Sequence, residues 1–161
     1  MTGGVEVVNA TRVALDQAAV AALVEAVLAA EGAAGAEVAV LFVGERRIRT
    51  LNRDFRGRDA VTDVLAFPLE DAAEDGPWVG AAGDGDEPPR LLGDVVVCAR
   101  RALRQARAAG LPPAVELAVL LVHGTLHLLG YDHETDAGGM ALRQAELLET
   151  ARWEGLLGPA S

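Results

Sequence analysis

Between Pro112-Pro113 and Gly130 runs a segment, Ala114 to Leu129, that is apolar nearly all round. A helix without a polar face has to be buried, so this segment is expected as the central helix around which the other elements pack. The proline pair suits its first turn. It also carries His123 and His127, which stand one above the other on a helix and can turn two imidazoles toward one ion. Gly130 is expected to end the helix in the left-handed conformation and reverse the chain, bringing His133 to a third side. These three are all the histidines of the chain. Histidines used for packing alone rarely fall in such register. Three neutral imidazoles leave a fourth position open, as in a catalytic zinc site rather than a closed structural one.

Around the central helix the pattern alternates. Val5 to Val8 reads as a strand, and Asp16 caps a helix whose stripe of Val20, Leu23, Val24, Val27 and Leu28 ends at Gly32. Glu37 to Val43 reads as a strand buried on both faces. Glu45 to Asp54 reads as an amphipathic helix burying Ile48, Leu51 and Phe55, followed by a turn over Phe55 to Asp59 and a strand from Thr62 to Phe67. Leu91 to Cys98 is a fourth strand and Ala99 to Ala109 a helix stopped by Gly110. A last helix, about 137–152, buries Met140, Leu147, Leu148 and Ala151. Residues 70–90, with Trp78, are rich in Asp, Glu, Gly and Pro and are expected to be a flexible loop. The sum is one α/β (α+β) domain over 1–161, with about four strands in a mixed sheet covered by about five helices.

Composition narrows the function. The formal net charge of −10 argues against non-specific attraction to nucleic acid. An anionic substrate then needs a local patch, and the 14 basic residues, all arginine, supply two. Arg46, Arg47, Arg49, Arg53, Arg56 and Arg58 form one; Arg100, Arg101, Arg104 and Arg107 form the other, which reads more simply as a solvated helix face. The single Cys98 excludes an internal disulfide and suits a reducing, cytoplasmic setting as a small buried side chain. No membrane segment and no nucleotide-cofactor motif is expected.

The histidine spacing is that of the metzincin proteases, except that Gly124 stands where they place the glutamate base. Glu116 shares the face of His123 but lies about 10 Å along the axis. Asp132 is either an outer partner of an imidazole or a turn aspartate. Peptide hydrolysis is disfavoured, and a phosphodiester fits better, because a metal can ionise water and neutralise phosphoryl charge.

The string His123 to His133 resembles the signature of the bacterial YbeY family, endoribonucleases of ribosomal RNA maturation. Leu51-Asn52, Phe55-Arg56-Gly57-Arg58-Asp59, Thr62-Asp63-Val64-Leu65, Phe67-Pro68, Leu92-Gly93-Asp94 and Met140 extend the resemblance over about 37–150. It implies a zincin-like fold and a single-strand-specific endoribonuclease acting on the 3′ end of small-subunit ribosomal RNA and in ribosome quality control. It also implies one divalent metal on His123, His127 and His133, with Zn2+ expected and Ni2+ an alternative. Arg56 is implied as a catalytic, substrate-binding arginine, and its fork suits a phosphate. The expected partners are single-stranded RNA, the ribosomal RNA precursor, and the ribosome or its proteins. The competing readings are a non-catalytic ribosome assembly factor with a structural metal and a metzincin-like hydrolase. Ala66 replaces a serine frequent in the family, and Ala60-Val61 a basic residue and proline, so the turn before the third strand is expected to be less rigid. Met140 reads as core.

Overall fold

The computed structural model describes residues 4–69, 90–131 and 138–158. Four strands, β1 (Val5–Asn9), β2 (Glu37–Phe42), β3 (Val64–Pro68) and β4 (Leu91–Val97), form one sheet in the order β1-β2-β4-β3. The first three in that order run parallel, and β3 is an antiparallel edge strand on β4. Five helices complete the fold: α1 (Gln17–Ala30), α2 (Glu45–Arg56), α3 (Ala99–Ala109), α4 (Pro113–Leu128) and α5 (Gly139–Thr150). The expected four-stranded mixed sheet with five helices is the architecture found. The loop expected at 70–90, with Trp78, lies outside the described residues but for Arg90.

Strand alternation divides the core in two. Val38, Val40 and Phe42 of β2, with Val95 and Val97 of β4, face a large cluster containing α1, α3, α4 and α5. Leu41, Val96, Leu65 and Phe67 face the other way, where Ile48 and Leu51 of α2 cover them. The strand β2 was expected to be buried on both faces, but its burial alternates between buried and half-buried positions. Among the described residues, α2 is the helix that covers the second face.

Local chemistry sets the helix ends. The Asp16 carboxylate accepts from the Ala19 N–H at 3.0 Å and opens α1. Expected to stop at Asp54, α2 instead continues to Arg56 and ends at Gly57 in the left-handed conformation (φ 73°). Arg56 therefore stands in the last helical turn. Phe55, expected in the core, is 69% exposed and meets the Phe67 ring edge-to-face, with centroids 5.5 Å apart. Three contacts hold the turn after α2, where Ala60-Val61 stands. Buried Asn52 donates to the Ala60 carbonyl at 3.0 Å and accepts, through its own carbonyl, from the Arg58 N–H at 3.2 Å. Arg49 forks onto Asp59 at 2.7 and 3.2 Å.

The central helix is as expected. Leu117, Ala118, Leu121, Val122, Thr125 and Leu126 of α4 are fully buried. Cys98 is buried at the end of β4, and burial pushes its thiol pKa up, keeping it protonated. Met140 is buried in the core, as read.

Candidate metal centre

His123 and His127 are half-buried on one face of α4, with ring centroids 4.7 Å apart and planes at 79°. The helix ends one turn later in a Schellman motif. The Tyr131 N–H bonds the Leu126 carbonyl at 3.1 Å, the Gly130 N–H bonds the His127 carbonyl at 3.0 Å, and Gly130 takes φ 102°. The expected chain reversal at Gly130 is thus in place. His133 and Asp132 lie outside the described residues. Among the described residues, no group of three His, Cys, Asp or Glu side chains is placed to hold a metal ion.

Gln144 on α5 supplies a contact that sequence reading missed. Its Oε1 lies 3.0 Å from His123 Nδ1. An amide oxygen only accepts, so Nδ1 donates in this contact, and Nε2 is the ring nitrogen that would coordinate an ion. Such a partner on the other ring nitrogen is what metal-ligating histidines usually have. The donor chemistry thus fits a divalent ion at His123 and His127. Gln144 follows buried Met140 by one helical turn, but nothing in that spacing marks it as a histidine partner.

Gly124 has a second reason to be glycine. A Cβ there would lie 2.6 Å from Val95 Cγ1 and 3.4 Å from Val64 Cγ2. The central helix rests directly on β4 and β3 at this point, and any side chain, the protease glutamate included, would be driven into the sheet.

Beyond the helix end, the Tyr131 hydroxyl donates to Glu31 Oε1 at 2.6 Å, and Arg143 Nε donates to Glu31 Oε2 at 2.9 Å. The Glu31 side chain is only 9% exposed. Burial, and then the Glu31 carboxylate, push the Tyr131 phenol up to about 12. This knot joins the end of α1, the residue after the Schellman turn and the first half of α5. The segment carrying His133 therefore begins and ends on anchored elements.

Glu116, in the first turn of α4, faces Asp63 rather than the histidines. Gln105 of α3, with its amide nitrogen turned toward them, reaches Glu116 Oε1 and Asp63 Oδ2, each at 3.3 Å. Burial, and then the Asp63 charge, raise the Glu116 pKa from 4.5. The folded carboxyl thus holds its proton more tightly than the unfolded one, so its contribution to stability is present in acid and lost as pH rises through the folded value. Glu116→Gln is expected to raise the urea midpoint at about pH 7 and to change it little at about pH 4. An equal shift at both values would contradict this origin.

Arg56 is exposed and makes no hydrogen bond or ion pair to His123 or His127. It stands at the α2 end marked by the Phe55–Phe67 contact over β3, while Gly124 of α4 lies against Val64 of the same strand. The helices that carry Arg56 and the histidine pair, α2 and α4, thus meet β3 from opposite faces of the sheet. No helix among the described residues is long and apolar enough to cross a membrane.

Fold and site together define a single-domain α/β protein with a candidate metal centre on its buried central helix. A family model described as endoribonuclease YbeY matches residues 6–152. The chain belongs to the YbeY family. It is 51% identical over 141 residues to the endoribonuclease YbeY of Anaeromyxobacter sp. (strain Fw109-5), covering 84% of this chain and 63% of the relative. The protein of that name from Moorella thermoacetica is 49% identical over 129 residues, covering 78% and 80%. The one from Chloroflexus aggregans is 45% identical over 146 residues, covering 90% and 92%. The matched region spans 63% of the length of two Anaeromyxobacter relatives. The solution structure of TM1509 from Thermotoga maritima superposes with a TM-score of 0.60 at 27% identity, covering 90% of this chain and 87% of that one.

Proposed function

We propose that the chain is a metal-dependent endoribonuclease that cuts single-stranded RNA in the maturation of small-subunit ribosomal RNA and in ribosome quality control, in the cytoplasm. The observation that carries this reading is the His123–His127 pair with Gln144 on Nδ1, in a chain whose family model and relatives bear the name endoribonuclease YbeY. His123, His127 and His133 are the proposed ligands of one divalent ion, zinc first and nickel as the alternative. When bound, such an ion supplies Lewis acidity at the phosphoryl oxygens and lowers the pKa of water.

The chain's own residues do the rest. Gln144 fixes the tautomer of His123 and holds its ring in orientation. Arg56 presents a planar fork to a phosphodiester, and its place in the last turn of α2, held by the Asn52 and Asp59 contacts, limits its search for the substrate. The ribosomal RNA precursor, bound to ribosomal proteins, is the proposed substrate.

The test is incubation of purified, metal-loaded chain with a defined single-stranded RNA. Internal cleavage is expected, lost with a chelator and restored by added metal. A 2′,3′-cyclic phosphate end would show the RNA 2′-hydroxyl as nucleophile. Absence of cleavage with zinc and with nickel would overturn the proposal.

A further inference from the structure

The three parallel strands β1, β2 and β4 end on one side of the sheet, and a groove of about 610 Å³ opens there. Arg12, Arg46, Arg47 and Arg100 line it. They come from three separate segments: the β1–α1 loop, the start of α2 and the start of α3. All four are exposed, and none makes an ion pair or side-chain hydrogen bond among the described residues. The one carboxylate in the lining, Glu45, is forked by Arg104 at 2.8 and 2.8 Å. The groove is thus strongly cationic in a chain of formal net charge −10.

This charge continues along α2. At 3.6 residues per turn, Arg46, Arg49, Arg53 and Arg56 fall within an arc of about 80°, beside the face that buries Ile48 and Asn52. The stripe is about 15 Å long and runs from the groove to Arg56. Arg49 and Arg53 are each balanced by an aspartate, Asp59 and Asp54, while the groove arginines are not. Beside Arg56, Phe55 offers an aromatic face that is 69% exposed. Arginines spaced along a surface with an exposed aromatic at one end suit the sugar-phosphate backbone and bases of an unpaired strand.

We propose that the groove and the α2 stripe form a docking track for single-stranded RNA flanking the bond that is cut, with Phe55 stacking a base at the Arg56 end. The track rests on the ribonuclease reading above and adds to it a second contact region at the far end of α2. It gives the protein a local route for a polyanion that its overall charge repels.

The test is fluorescence anisotropy with a labelled 2′-O-methyl RNA of about 20 nucleotides, over a series of salt concentrations. Each backbone phosphate contact contributes about 0.7 to the slope of log affinity against log salt. The triple variant Arg12→Gln/Arg47→Gln/Arg100→Gln is expected to bind more weakly, with a slope smaller in magnitude by about 2. Phe55→Ala is expected to lose about tenfold in affinity with the slope kept. Arg101→Gln/Arg107→Gln, off the groove, serves as the control for net charge and should keep the native slope. The track is overturned if the triple variant keeps the native slope, or if the control loses as much per charge. RNA that is cleaved normally while the triple variant binds like the native chain rejects the track alone. Failure of the native chain both to cleave and to bind RNA rejects the ribonuclease reading with it.

Discussion

Gly124→Glu is expected to leave a chain that does not reach this fold, rather than one with protease activity. The Cβ direction at Gly124 points at Val95 Cγ1, 2.6 Å away, and Val95 is itself fully buried. Valine is stiff about its side-chain torsion, so it cannot swing aside as a longer chain end would. Gly124→Ala isolates the steric effect. Alanine gains about 1 kcal/mol in helix propensity, but overpacking costs about 1–3 kcal/mol, and the 2.6 Å approach puts this site at the upper end, for a net loss of about 2 kcal/mol. Thermal unfolding followed by circular dichroism should show a drop of about 5 °C. Val95→Ala made in the same chain should recover part of that loss, because the two positions share one space. An unchanged midpoint in Gly124→Ala would mean that the helix does not lie so close to the sheet.

His123→Ala is expected to reduce RNA cleavage by about 10³-fold or more, with folding retained. Several kcal/mol of transition-state stabilisation come from a properly held ion, and each 1.36 kcal/mol is a factor of ten in rate. Gln144→Ala separates holding the ligand from being one. Loss of an outer partner typically costs about 10–100-fold in metal affinity, so cleavage by this variant should return at raised metal concentration. His123→Ala should not be rescued that way. Full cleavage by His123→Ala would remove the histidine from the site, and a Gln144→Ala variant with native metal affinity would make the 3.0 Å contact incidental.

How much of this was legible in the sequence follows from the range of each interaction. The helices α1, α3 and α4 are written in local pattern: an aspartate cap, glycine stops and an apolar run with no polar face. The histidine pair is equally local, since four residues make one helical turn. Phe55 departs from its expected burial because helical spacing reports a face and not whether that face is covered; at the end of α2 it meets the Phe67 ring edge-to-face. The burial of β2 departs from expectation for a related reason, since a run of valines does not say that, among the described residues, α2 is the helix over the second face. Gln144 and Glu31 were out of reach. Their partners are 21 and 100 residues away, and such pairings exist only once the helices have packed.

The Glu31 knot bears on the order in which the protein can be made. Its carboxylate waits on Tyr131 and Arg143, 100 and 112 positions downstream. At a synthesis rate of about 5–20 residues per second, the end of α1 spends roughly 5–20 s without them. A nascent chain therefore lacks this latch on its first helix until Tyr131 and Arg143 have been made. The same late event anchors both flanks of the segment that bears His133. Capture of a metal by all three proposed ligands would accordingly follow the packing of α5 rather than precede it.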